Sequence, residues 1–236
     1  MVFWYYRDAP FRRAQNYATV ITAHSLYKIN IVLLPAVTEG AHPGNNDFIG
    51  LVSGDAAKGV AFVDNPVMNA ELLTVPKLGL QIAWESGRLR IEDEMQREPE
   101  DSPLPQMALH ALRGLFPGTE LKGFGFNFNL YYHSTDVLPI NEHFTSLSPM
   151  GMGIGDSLLD FGWQWTTAHK NGERLDGYFL KVSAPLELAV LHNAHFNRRG
   201  KVTEKELKEL FAKAYEDTHA VVKSLSLNNP PHVHKS

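Results

Sequence analysis

Residues 124–132, Phe-Gly-Phe-Asn-Phe-Asn-Leu-Tyr-Tyr, alternate large apolar side chains with glycine, asparagine and tyrosine. A period of two is the signature of a strand with one buried face. Phe124, Phe126, Phe128, Leu130 and Tyr132 share that face, and Gly125, Asn127, Asn129 and Tyr131 share the other. Each large apolar side chain gains roughly 1.5–3 kcal/mol on burial, so the fold has to lay a second layer over this strand. Phe161, Trp163, Trp165 and Thr167 repeat the plan, opposite Gly162, Gln164 and Thr166. The two strands are expected to supply an aromatic core beneath the helices.

One supersecondary plan occurs twice. Residues 78–85, the turn Ser86-Gly87 and residues 88–93 read as a hairpin, followed by a helix near 103–116. Residues 159–170, the turn Asn171-Gly172 and residues 173–183 read as a second hairpin. A strand at 186–192 and a helix near 203–227 follow it. Ser102-Pro103 is a helix start, with Leu104, Ala108, Ala111, Leu112 and Leu115 on one face and Pro117-Gly118 as the stop. Thr203 and Glu206 make a capping box, with Val202 and Leu207 as its staple. Leu207, Leu210, Phe211, Ala214, Val221, Val222 and Leu225 form the apolar stripe of the last helix. Earlier in the chain, residues 17–35, 48–53, 60–63 and 72–75 read as strands, and the acid-rich stretch 92–101 as a solvated loop. The pattern predicts an α+β fold, mostly antiparallel sheet in two related halves, each hairpin followed by a covering helix, ending in a long amphipathic helix. Residues 1–150 form a β-rich half with one helix. Residues 151–236 form a β-meander with the long helix, and both are expected to pack as one unit.

Residues 88–91 (Arg-Leu-Arg-Ile), 115–119 (Leu-Phe-Pro-Gly-Thr), 123–128 (Gly-Phe-Gly-Phe-Asn-Phe), 151–153 (Gly-Met-Gly), 176–178 (Asp-Gly-Tyr), 182–185 (Val-Ser-Ala-Pro) and 193–196 (Asn-Ala-His-Phe) follow one another in that order. Over about residues 78–225 the chain resembles a group of uncharacterised bacterial proteins. Their pattern is leucine-proline-x-threonine, then glycine-x-asparagine-phenylalanine, then asparagine-x-histidine-phenylalanine. The group has no assigned activity, so the resemblance implies a bacterial setting and no catalytic residue.

Composition narrows the function classes. A chain of 236 residues can bury a stable core without metals or cross-links. A net charge of −4 argues against general nucleic-acid binding through phosphates. Cysteine is absent, which removes disulfides, thiolate nucleophiles and cysteine-ligated zinc, and fits a reducing cytoplasm. The N-terminus lacks the basic-then-apolar order of a secretory signal, and the apolar run 29–37 is too short to span a bilayer. A cytoplasmic protein with no membrane partner is the expectation.

Each candidate site has a plain alternative. His192, His195 and His219 are the best set for zinc, but residues three apart on a strand point to opposite faces. Polar histidines at a strand end are the preferred reading, with no metal and no cofactor. Residues 151–157, Gly-Met-Gly-Ile-Gly-Asp-Ser, lack the dinucleotide spacing and read as a connector. Glu142, His143 and Asp160 become an acid–base set only if folding joins them. Residues 197–201, Asn-Arg-Arg-Gly-Lys, form a basic turn able to meet an acidic segment. Phe3, Trp4, Tyr5 and Tyr6 would expose apolar surface unless docked on this chain or on a partner.

With no catalytic signature, the leading expectation is a non-enzymatic interaction or assembly subunit. Its partner is itself or another protein, through Phe3, Trp4, Tyr5, Tyr6, Arg198, Arg199 or an unpaired strand edge. The alternative is a small-molecule binder with an apolar pocket between the sheet and the last helix, lined by Trp163, Trp165 and Phe126. A metal-dependent enzyme using the histidines stands third.

Overall fold

The structure is a computed structural model that describes residues 21–37, 40–134, 162–169, 172–184 and 187–224. The chain runs β1 (Ile21–Pro35), α1 (Asn45–Ile49), a short 3-10 turn (Gly54–Ala57), β2 (Ala61–Asn65), β3 (Ala70–Val75), β4 (Leu80–Glu85), β5 (Arg88–Asp93) and α2 (Leu104–Leu115). It continues with β6 (Leu121–Ser134), β7 (Gly162–Ala168), β8 (Arg174–Ala184), β9 (Glu187–Phe196) and α3 (Glu204–Ser224). The strands make a single antiparallel sheet in the order β2-β3-β4-β5-β1-β6-β9-β8-β7. The α+β class and the antiparallel sheet therefore stand. None of the described helices is long and apolar enough to cross a membrane.

The alternating strand lies at the centre, as β6, between β1 and β9. Phe124, Phe126, Phe128, Leu130 and Tyr132 are all buried. In register beside them are Ile29, Ile31 and Leu33 of β1, and Leu188, Val190, His192, Ala194 and Phe196 of β9. Two helices cover this face: α2 packs on β1 and β5, α3 packs on β6, and the helices touch each other. Phe211 of α3 is fully buried, its ring centroid 5.2 Å from that of Phe126 and 5.4 Å from that of Phe128. Trp165 is half-buried and stacks on Tyr178 at 5.2 Å; Phe161 and the Trp163 side chain lie outside the described residues.

Local signals behave as the sequence predicts in three places. Ser86 (φ 51°) and Gly87 (φ 77°) both take positive φ, the turn whose twist suits a two-residue hairpin. Thr203 N–H donates to Glu206 Oε2 and Glu206 N–H to Thr203 Oγ1, each at 3.3 Å, which closes the capping box of α3. The stripe on α3 is buried at Leu207, Phe211, Ala214 and Val222.

Three expectations are corrected. Residues 48–53 are no strand: Phe48 N–H donates to Gly44 O and Gly50 N–H to Asn46 O, forming α1. The helix pins Phe48 against Phe62, their centroids 5.4 Å apart, so one aromatic anchor decides the element and propensity does not. The acid-rich stretch 92–101 exposes Glu94, Glu98, Glu100 and Asp101 as a solvated loop would, but Asp93 departs from that expectation. Asp93 is buried and accepts from Arg97 Nε (2.8 Å), Ser102 Oγ (2.8 Å) and Met95 N–H (3.0 Å). Arg97, a cation among acids, also donates to Leu78 O and so ties the loop down. Ser102 spends its hydroxyl proton on Asp93, and Leu104 N–H reaches its oxygen only at 3.4 Å, so its capping of α2 is weak.

The packing predicts that Phe126→Ala, which leaves a cavity among Phe124, Phe196 and Phe211, lowers stability by about 3–5 kcal/mol. Denaturant unfolding checks this, and a loss below about 1 kcal/mol would contradict a core position.

Candidate functional site

Charged and titratable groups gather in two clusters on the helix-covered face, one around Asp176 and one around His219. On β8, Arg174 and Asp176 are two residues apart, so both point under α3. Asp176 is buried, and its Oδ1 accepts from Arg174 Nε at 2.8 Å and His192 Nε2 at 3.0 Å, its Oδ2 from His169 Nε2 at 2.8 Å. Arg174 Nη1 donates to Asp217 of α3 at 2.8 Å, and its Cζ lies 5.4 Å from the centre of the Phe196 ring. His192 stacks on Tyr178 at 4.2 Å and 10°, with Nδ1 2.7 Å from Thr218 Oγ1. Burial pushes the Asp176 carboxyl up, but the hydrogen bonds from His192 and His169 and the charge of Arg174 outweigh it and hold the group below its usual range. The Tyr178 hydroxyl is pushed up by burial and by the nearby Asp176.

His169 is the accessible member of this network, with about half its side chain exposed. A carboxylate on one ring nitrogen orients an imidazole as a base, yet His169 Nδ1 makes no hydrogen bond to a described residue. Arg174 Nη2 is buried and has no hydrogen-bond partner among the described residues. The network clamps β8, β9 and α3 together.

A second cluster sits where β1, β6 and α3 meet the loop after β5. The Tyr132 hydroxyl donates to His219 Nδ1 at 2.7 Å. His24 Nε2 lies 3.2 Å from the Tyr215 hydroxyl and 3.4 Å from Glu98 Oε1. Burial, reinforced by the nearby His24, lowers His219 to about 4. Burial also raises both tyrosines, with Glu98 adding to the effect.

The helix-free face is polar at its centre. Asn127 Nδ2 donates to Asn30 Oδ1 at 2.7 Å, and Asn193 Nδ2 donates to Asn127 Oδ1, a ladder of amides across β1, β6 and β9. Lys28 pairs with Glu92 at 3.0 Å, and Arg90 bridges Glu85 and Glu92 beside it.

The histidine trio is not assembled. His192 faces the helices, His195 faces the opposite side and bonds Asn197 Oδ1 at 2.9 Å, and His219 belongs to the tyrosine cluster. Strand alternation separates the first two, as their spacing requires. No three histidine, aspartate or glutamate groups among the described residues are arranged to hold a metal. Phe126 is fully buried, enclosed by Phe124, Phe196 and Phe211. Arg198 and Arg199 are exposed after β9, and Arg198 Nη1 is held by Glu206 Oε1 at 2.7 Å. Phe3, Trp4, Tyr5, Tyr6, Glu142, His143, Asp160 and residues 151–157 lie outside the described residues. Sequence reasoning passed over Arg174, Asp176, His169 and Asp217. The available signal was two opposite charges at i and i+2 on the face that also carries Tyr178 and Leu180.

Two pH effects follow. A carboxyl held low in the fold stabilises it above its unfolded pKa of about 4, and that gain disappears as pH falls through the lower folded value. Asp176→Asn, which strands Arg174 beside one remaining carboxylate, should cost about 3–5 kcal/mol at pH 7, with the difference from wild type shrinking below about pH 4 in denaturant titrations. His219 behaves in the opposite chemical sense. Its neutral form is the folded one, so stability falls as pH drops from about 6.5 to about 4, by at most about 1.4 kcal/mol per pH unit. His219→Gln should flatten that slope, and an unchanged slope would assign it to another group.

Compared with protein-family models and with curated proteins, the chain matches none of either.

Proposed function

We propose that this chain is a non-catalytic assembly subunit that joins a second copy of itself by pairing the edge strand β2 with its counterpart. The observation that carries this reading is the chemistry of that edge. β2 ends the sheet, and its outer backbone groups pair with no described strand. Its residues, Ala-Phe-Val-Asp-Asn, include neither the lysine nor the proline that native edges use against pairing. Val63 is 55% exposed, and Val67 and Met68 in the adjoining turn are 94% and 70% exposed, an apolar group at the same edge. An antiparallel β2–β2 contact is self-complementary about a two-fold axis, so it closes as a dimer and does not propagate.

The sheet order supports a related view of the fold. β5, β4 and β3 flank β1 as β9, β8 and β7 flank β6, with α2 and α3 closing the two sets. We read these as two related halves joined by antiparallel pairing of β1 with β6, the same mode of contact proposed for β2. The order equates β4–β5 with β8–β9, one strand later than the hairpins whose turns look alike in the sequence. Phe3, Trp4, Tyr5 and Tyr6, with the basic turn at Arg198 and Arg199, belong to the same reading as further contact surface. A cytoplasmic setting with a protein partner fits it.

Light scattering after size exclusion tests the proposal. The wild type is expected at twice its chain mass of 26.4 kDa. Val63→Lys places a charge on the edge and should return the chain mass, while changing monomer stability by less than about 0.5 kcal/mol. A wild type that stays monomeric at high concentration, or a Val63→Lys variant that keeps the doubled mass, overturns it.

A further inference from the structure

We infer that the hollow between the end of α2 and the approach to α3 binds a small amphipathic anion, an alkyl carboxylate. The site is independent of the β2 edge and goes beyond the assembly reading. The cavity measures about 250 Å³ and is walled by Leu109, Leu112, Phe116, Leu121 and Val202. An apolar cavity of about 150 Å³ already takes a benzene-sized molecule, so this one has room for a chain of roughly six to eight carbons.

The backbone that shapes the walls has its hydrogen bonds elsewhere. Leu121 N–H donates to Gly200 O at 3.0 Å and Gly200 N–H to Leu121 O at 2.9 Å. Phe116 N–H donates to Leu112 O, and Thr119 N–H to Phe116 O. The walls therefore offer a ligand mainly apolar contact, and an alkyl chain suits them better than a sugar or a nucleotide base. The rim supplies the polarity. Arg113 and Lys201 both border the cavity, both are exposed, and neither forms an ion pair with a described residue. Two unpaired cations beside an apolar recess select an anionic head on an apolar tail. The guanidinium of Arg113 can grip a carboxylate with two parallel hydrogen bonds, and Lys201 adds a second positive charge.

The full-length protein titrated with sodium octanoate provides the test, followed by calorimetry and by the emission of Trp84. The Trp84 ring lies 4.5 Å from that of the wall residue Phe116, so its emission reports on an occupied cavity. Octanoate should bind saturably at one site, and hexanoate should bind more weakly by about fourfold for each methylene removed. Octyltrimethylammonium, with the same chain and a cationic head, should bind at least about tenfold more weakly than octanoate. Arg113→Gln with Lys201→Gln, both at exposed positions, should weaken octanoate by about tenfold or more and leave the thermal midpoint in place. Leu112→Phe should block octanoate by filling the recess. Absence of saturable octanoate binding up to about 10 mM overturns the proposal. So does equal affinity for the two head groups, or unchanged affinity in the double glutamine variant.

Discussion

The antiparallel pairing of β1 with β6 is the constraint on which the rest depends. Each is the first strand of its set, and each carries its buried apolar side chains on the same face. Their ladder places Ile29, Ile31 and Leu33 beside Phe128, Phe126 and Phe124, so a single apolar strip runs down the middle of the sheet. Everything outside that seam is added to it: β5 extends the strip with Leu89 and Ile91, and β9 with Val190, Ala194 and Phe196. Because side chains alternate, the register that buries the phenylalanines also sends Asn30, Asn127 and Asn193 to the other side. One choice of register therefore makes a dry face and an amide-laddered face together. α2 and α3 cover the first because it is the apolar one.

Where the dry face meets polar groups, the fold satisfies them in networks. Asp176 is the hub of one, placed between two imidazoles and a guanidinium, and it locks α3 to β8 through Arg174 and Asp217. Removing one member leaves a buried charge without its partner, which is more destabilising than the net worth of the pair. The tyrosine–histidine cluster does comparable work at neighbouring positions of α3, Tyr215 and His219 beside Asp217 and Thr218, with His219 kept neutral by burial. The two networks make opposite demands on pH only in chemical form. One needs a carboxylate ionised, the other an imidazole uncharged, and acid undoes both.

The surfaces that remain open divide by chemistry. The β2 edge offers backbone that pairs with no described strand, and exposed Val63, Val67 and Met68, which suits a strand partner. The hollow near α2 offers an apolar recess bordered by Arg113 and Lys201, which form no ion pair among the described residues, and this suits a small amphiphile. They lie on separate elements and share no residue, so the proposed strand pairing and the proposed ligand do not compete.

Much of the fold was legible in the sequence because the signals were local. The alternation over residues 124–132, the Ser86-Gly87 turn and the Thr203–Glu206 box each concern neighbours along the chain, where the periods of strand and helix and the geometry of caps and turns hold whatever surrounds them. The separation of His192 from His195 was legible for the same reason. What the sequence could not show was which elements become neighbours. Phe48 becomes helical because Phe62 waits above it, Asp93 is buried because Arg97 folds back to it, and Asp176 becomes a hub because β9 and α3 deliver His192 and Asp217 to it. Asp176 and Asp217 are far apart along the chain, and no periodic pattern records their joint hold on Arg174. By itself the sequence determined most of the strands, the Ser86-Gly87 turn, the Thr203–Glu206 cap and the buried faces of β6 and α3. Tertiary structure alone decided the partners of the charged groups, since a buried charge takes its meaning from what long-range packing sets beside it.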